Sequence, residues 1–426
     1  MRFDSVDAEQ ILDSRGYPTV TVRLGLPAGR PGDPVSVEAS SPSGASTGQY
    51  EAVELRDGGG AWDGRGVTGA VSSVTGPIRE LLLDSDWTSL RQLDDALRAL
   101  DGTDTKARLG ANAVVAVSMA AARGFAAADV LQLHEWISGE TGQEPRLPVP
   151  HFNVVNGGAH AANDLAFQEF MIAPIGAPSM AEAVRCGAEI YHHLHKLLRD
   201  QGQQTGLGDE GGFAPQLTHP HEVLDLLVAA ISGAGYIPGI NDVAIALDPA
   251  ANGFHDNRNY RVAGEELTSE DLIGVYAELV DRYPIWSIED GLAEDDHDGW
   301  VRLTQRLGSQ VQVVGDDLLV TDPIRITRAG NEGLGTAALI KPNQIGSVSE
   351  TFDALAAART VGFAAMISHR SGETPDAFVA DLAVGSGVGQ LKSGAPARGE
   401  RVAKYNRLLT IATAHPDLPY GLAPRP

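Results

Sequence analysis

The feature that most restricts what this sequence can fold into is a recurrence in its second half, where six short apolar runs each lead to a charged or polar residue. VAIAL leads to Asp248, PIWSI to Glu289, VQVVG to Asp316, AALI to Lys341, AAMIS to His369 and VGQL to Lys392. The intervals are 41, 27, 25, 28 and 23 residues. Each is about what a strand, a helix and two loops require, so the pattern predicts consecutive βα units. Such units either close into a barrel or lie in an open sheet. Strand ends converge on one mouth in a barrel and spread along an edge in a sheet. A functional type of residue at nearly every strand end therefore predicts an α/β protein with a C-terminal (β/α)8-type barrel.

The first 135 residues have a different rhythm. TVTVRLGL and VSVEAS alternate apolar and polar positions on either side of PAGRPGDP, which predicts an antiparallel hairpin or meander. GANAVVAVSMAAARGFAAADVLQLHEWI carries apolar residues at helical spacing with much alanine, and predicts a long buried helix or helix pair. SGETGQEPRLPVP reads as the linker. The expected organisation is an N-terminal α+β domain over 1–135 and a barrel over 136–426.

Charge narrows the partners. Fifty-six acidic against 32 basic residues give a net charge of −24, which repels nucleic acid and anionic membrane but suits a protein that collects divalent cations. No apolar run is expected to span a bilayer. The single cysteine, Cys186, excludes an intrachain disulfide and reads as a packing thiol, in keeping with a cytoplasmic protein.

Three of the strand ends carry acids. A carboxylate facing a barrel interior is costly unless paired or metal-bound, and Asp248, Glu289 and Asp316 together suit Mg²⁺, a hard ion that takes oxygen ligands. Asp290 and Asp317 alternate to the other side and read as supporting groups. Two of only five lysines, Lys341 and Lys392, also end strands; near a metal and a second cation, an ammonium is disfavoured and the neutral amine can take a proton. FQEFM offers Gln168 and Glu169. GLGDEGG sets Glu210 among four glycines, a crowded setting that can raise a carboxyl pKa for general-acid work. SHRSGE supplies His369, Arg370 and Ser371 for a phosphate or carboxylate, and SPSGASTG has the composition of a closing loop. His192, His193 and His195 lack a zinc-site pattern and read as surface or packing residues. GSGVGQ follows no suitable strand for a dinucleotide site, and GGGAWDGRG reads as a flexible loop.

Assembled in order, PSGASTG, NGGAHA, QEFM, GDEGGFAP, SIED, GDD, NQIGS, SHRSGET and QLKSGAP resemble the enolase family from ILDSRGYPTV to GAPARGERVAKYNRLL. The resemblance implies an N-terminal α+β domain and a barrel irregular at its start, assembled as a homodimer or larger. It implies a lyase that converts 2-phosphoglycerate to phosphoenolpyruvate. Asp248, Glu289 and Asp316 would hold one Mg²⁺, and Ser46 would help to hold a second that arrives with substrate. Lys341 would remove the C2 proton, with Lys392 stabilising the dianion that results. Glu210, assisted by Glu169, would protonate the departing C3 hydroxyl. Arg370 and Ser371 would hold the phosphoryl group, His160 would approach from a closing loop, and Gln168 and His369 would line the site.

Some neighbours depart from the family pattern. Pro249 and Asn252 follow Asp248, Pro342 follows Lys341, Tyr17 replaces an asparagine, and Ser40 and Ser41 precede PSG. Prolines beside catalytic strand ends can re-aim adjacent side chains. Two alternatives therefore stand beside the first reading. One is a paralogue acting on a phosphonylated carboxylate, similar to carboxyphosphonoenolpyruvate synthase. The other is a non-catalytic binding protein of the same shape.

Overall fold

The computed structural model describes residues 1–27, 35–44, 48–256 and 258–422. The N-terminal sheet is an antiparallel meander of β1 (Ser5–Leu12), β2 (Pro18–Gly25) and β3 (Ser36–Ser40). β2 and β3 are the expected hairpin; β1 is a further strand that the sequence reading does not assign. The expected helical stretch is a pair, Ala111–Ala128 and Leu133–Thr141, and the second helix runs across the expected boundary at 135/136.

Ala111–Ala128 is 18 residues long with mean hydropathy 1.4, enough by length and composition to cross a membrane, yet 83% of it is buried inside the fold. A helix apolar on every side is equally the mark of a core helix, and this one packs on β2 and β3.

The barrel runs β4 (Val149–Asn156), β5 (Glu169–Ala173), β6 (Ala244–Asp248), β9 (Ile285–Glu289), β10 (Gln312–Gly315), β11 (Ala337–Ile340), β12 (Ala364–Ser368) and β13 (Gln390–Lys392), and closes on β4. A small hairpin, β7 (Tyr260–Val262) and β8 (Glu265–Leu267), is inserted after β6. β5 is antiparallel to β4 and β6 while the other neighbours are parallel. Two helices, Met180–Asp200 and Pro220–Gly233, lie between β5 and β6. The barrel is thus irregular at its start. Because β5 is reversed, it begins at the end where the other strands finish, and Glu169 pairs with both Asn156 and Asp248.

The returning helices carry their own start signals. Asp322 caps Pro323–Glu332, which has proline at its first position, and Ser347 caps Val348–Thr360 by accepting from the Glu350 amide. Each such cap stabilises by about 1 kcal/mol. Inside the barrel, Val314, Leu339, Met366 and Ala337 form a small apolar cluster. The N-terminal domain reaches the mouth through Ser43, which exchanges two 2.8 Å backbone hydrogen bonds with Gly372. Cys186 is buried in the outer helix Met180–Asp200, and burial pushes its thiol up to about 12. His192, His193 and His195 lie on the same helix.

Candidate active site

Asp248 and Glu289 end neighbouring parallel strands, and Asp316 directly follows the next one, so three carboxylates stand side by side at the mouth. The Lys392 ammonium, from across the barrel, lies 2.6 Å from Glu289, 3.0 Å from Asp248 and 3.4 Å from Glu169. Lys341 pairs with Asp316, whose other oxygen accepts from Gln344 Nε2 at 2.8 Å. Burial opposes the charge on Asp316, but Lys341 and Lys392 hold its carboxyl below the ordinary value. Glu289 is held well above its ordinary value by burial and by Asp248.

Lys341 is pulled in two directions. Burial lowers its proton affinity, but Asp316 outweighs burial and raises it.

Pro342 leaves Lys341 at the mouth. A residue before proline is driven to extended backbone; Lys341 has φ −130° and ψ 107°, and Pro342 opens the short helix Pro342–Ile345. That helix turns Asn343 towards Arg370 and Gln344 towards Asp316. After Pro249, Asn252 donates to Asp317 at 2.9 Å and accepts from the Glu294 amide at 2.9 Å. Asp290, at φ 43°, accepts from the amides of Asp316 and Asp317 at 2.8 Å each. It fixes the end of β10, as expected of a supporting group.

The opposite wall pairs Glu169 and Glu210, each only 2% exposed. Glu210 is placed by close backbone approach: a Cβ on Gly208 would stand 2.6 Å from Asn156 Oδ1, and Gly211 adopts φ 86°. Asn153 Nδ2 donates to Glu210 at 3.0 Å. His160 Nδ1 lies 3.9 Å from Glu169 and 3.8 Å from Glu210, and is already buried between them. His369 Nδ1 accepts from Arg401, which leaves Nε2 protonated and facing Glu210 at 3.2 Å. Burial pushes the His369 imidazole down to about 4.

The two glutamates are driven apart. Burial, then Glu210, holds Glu169 well above the ordinary carboxylate value. For Glu210 the two histidines and Arg401 outweigh burial, and its pKa falls well below. The raised carboxyl expected at Glu210 is therefore found at Glu169, because the cationic and hydrogen-bonding partners gather on Glu210.

Arg370 and Ser371 close the third side. The Arg370 guanidinium donates to both oxygens of Glu51, at 2.8 and 3.1 Å, and to Asn343 Oδ1 at 3.1 Å. Arg15 reaches Ser371 Oγ at 3.4 Å. One cavity brings Arg370 and Ser371 together with Gln168, Glu169, Glu210 and both lysines. Every expected site residue is brought to this mouth except Ser46, which lies outside the described residues.

Sequence reasoning does not assign Glu51, Gln344, Asn343 or Arg401. For Arg401 a signal exists: in Gly399–Ala414 the buried positions are Arg401, Lys404, Tyr405, Leu408 and Ile411. Charged residues on the apolar stripe of a helix must have buried partners. Glu51 lies in irregular chain and carries no such periodicity.

The carboxylates fit a hard divalent cation on this structure's own terms. Asp248 Oδ1 and Glu169 Oε2 are buried with no hydrogen-bond partner among the described residues, and the three strand-end acids have drawn in both ammonium groups as counter-charges.

Comparison with known proteins follows the same lines. Residues 3–137 match the family model described as Enolase, N-terminal domain, and residues 144–417 match Enolase, C-terminal TIM barrel domain. A curated protein named Enolase from Acidothermus cellulolyticus (strain ATCC 43068 / DSM 8971 / 11B) is 51% identical over 408 residues, spanning 96% of this chain and 93% of its own length.

Proposed function

Because the chain belongs to the enolase family, we propose that it interconverts 2-phosphoglycerate and phosphoenolpyruvate as a magnesium-dependent hydro-lyase. The observation that carries the reading is the division of one cavity into an acid–lysine wall, a glutamate–histidine wall and an arginine–serine end. Those are the needs of a reaction that ionises a C–H bond, expels a hydroxyl and holds a phosphoryl group. The 1–135 domain caps the mouth and the 136–426 barrel carries the chemistry.

Asp248, Glu289 and Asp316 would hold Mg²⁺, and Ser46 would help to hold a second ion. Bound there, Mg²⁺ supplies Lewis-acid stabilisation of the charge that builds on the substrate carboxylate. Lys341 takes the C2 proton. Its affinity for that proton rests on Asp316; once that carboxylate is engaged elsewhere, burial, Arg370 and Lys392 all favour the neutral amine. Lys392 keeps its ammonium beside the carboxylates and offsets the dianion. Glu210 protonates the departing C3 hydroxyl, drawing on Glu169, the member of the pair held protonated. Arg370 and Ser371 bind the phosphoryl group, while His160, Gln168 and His369 line and orient the pocket.

A cytoplasmic homodimer or larger assembly, on which sedimentation would decide, completes the reading. The phosphonate-pathway alternative is not favoured, given 51% identity over nearly the whole chain to a protein named Enolase. A binding-only role is disfavoured by retention of both lysines, both glutamates and all three acids. The test is formation of phosphoenolpyruvate from 2-phosphoglycerate, followed by ultraviolet absorbance with excess Mg²⁺ and with EDTA. Turnover of about 10 per second or faster, abolished by EDTA and restored by Mg²⁺, supports the reading; no turnover with intact Mg²⁺ binding overturns it.

A further inference from the structure

A second cluster of ligating side chains lies outside the mouth, where the helix Leu133–Thr141 meets the end of the chain's last helix, Gly399–Ala414. One ligand atom each from His134, Glu135 and His415 lies within 4.8 Å of the other two. The two imidazoles meet edge to face with centroids 5.0 Å apart, and His415 Nε2 is 3.9 Å from Glu135 Oε1.

His134 is only 2% exposed, and its Nδ1 has no hydrogen-bond partner among the described residues, facing Asp381 Oδ1 at 3.6 Å. Asp381 is itself fixed by two hydrogen bonds from Arg407, at 2.8 and 2.6 Å. Asp381 stands just beyond hydrogen-bond distance of that nitrogen, and a closure of a few tenths of an ångström would make it the carboxylate backing usual for a metal-ligating histidine, which leaves the opposite nitrogen for the ion.

We propose that His134, Glu135 and His415 form a binding site for a borderline divalent cation of the Zn²⁺ class. Two imidazoles and one carboxylate, with a fourth position for water, are a recurrent Zn²⁺ donor set. Nitrogen donors also separate this site from the mouth, whose oxygen-only acids suit Mg²⁺. Ligand atoms around a tetrahedral ion stand roughly 3.3 Å apart, so closure requires movement of about 1.5 Å. His415 and Glu135 are each about one-third exposed and can supply it, with side-chain exposures of 34% and 37%. Glu135 Oε2 accepts from the Gln132 amide, which leaves Oε1 for the ion. A bound ion would clip the N-terminal helix pair to the terminal helix of the barrel.

Co²⁺ distinguishes the two sites, because four-coordinate Co²⁺ with nitrogen donors absorbs strongly in the visible and six-coordinate Co²⁺ on oxygen absorbs weakly. The whole protein is titrated with Co²⁺ in saturating Mg²⁺, alongside His415→Ala and Glu135→Gln. The proposal expects one equivalent of the intense band in the wild type and affinity at least about tenfold weaker in each variant. Both variants should keep wild-type turnover with Mg²⁺ and the wild-type melting temperature in EDTA. Zn²⁺ should displace the band and raise the melting temperature of the wild type by a few degrees but not that of His415→Ala. An intense band that survives in both variants, or its absence from the wild type, overturns the proposal. Neither result bears on turnover at the mouth.

Discussion

Two regions of this molecule bury charge, and they do so in opposite ways. At the junction between the N-terminal domain and the barrel, Arg123 donates to both oxygens of Asp376 at 2.7 Å, and Asp376 also accepts from the amides of Ser40 and Phe378. That carboxylate has a complete set of partners. At the mouth, Lys392 is shared among three carboxylates, while Asp248 Oδ1, Glu169 Oε2 and His160 Nδ1 have no hydrogen-bond partner among the described residues. Asp376, with its partners complete, fastens two elements together, whereas the unpartnered atoms of the mouth stand among the groups that line its cavity.

The sharpest way to break this contrast is to change one residue in each region and ask which property moves. Lys341→Ala should abolish exchange of the C2 proton of 2-phosphoglycerate in D₂O, a loss of at least about 10³-fold, with little change in melting temperature. Glu210→Gln should block dehydration yet keep some exchange. Persistent exchange in the lysine variant would remove Lys341 as the base. Asp376→Ala should do the reverse: about 3 kcal/mol of stability lost in urea unfolding, with kcat nearly unchanged in what remains folded.

Proton linkage separates the junction's own carboxylates. Arg123 overcomes burial and holds Asp376 below its ordinary value, so its contribution is present above about pH 4 and is lost as pH falls. Asp94, fully buried with Oδ1 unpartnered, is pushed up to about 6 by burial. Its sign is opposite: the contribution is full below about pH 4 and is lost as pH rises through about 6. Asp94→Asn should therefore gain relative to the wild type by about 2 kcal/mol between those pH values, read as the difference between the two stability curves. A difference that does not change with pH would refute this.

The smallest expected effect tests a contact that belongs to both regions. Glu51 comes from the N-terminal domain but spends its carboxylate on Arg370, within reach of Gln344 at 3.3 Å and the Gly48 amide at 3.1 Å. If it offsets charge that the phosphoryl group would otherwise use, Glu51→Gln should tighten inorganic phosphate by up to about tenfold. Weaker phosphate binding would instead make Glu51 a support that aims the guanidinium.

Much of this was legible in one dimension. The barrel was readable because each βα unit repeats a local pattern, and the strand-end acids and lysines because a polar residue closing an apolar run has few reasons to be there. The supporting residues were not readable in this way. Glu51, Gln344 and Arg401 meet Arg370, Asp316 and His369 across separations of 319, 28 and 32 residues, and no periodicity encodes which loop will lie over which strand.

By itself, then, the sequence determined the barrel, its mouth and the chemistry of the side chains gathered there, since hydrophobic period and strand-end placement are local properties of the chain. Only the tertiary structure decided the electrostatics of the site: that burial and Glu210 raise Glu169 while the histidines and Arg401 lower Glu210, and that Lys341 has Asp316 as its partner. The physical reason is that a pKa is set by burial and by the charges within a few ångströms, and those neighbours come from strands and helices that only the closed barrel brings together.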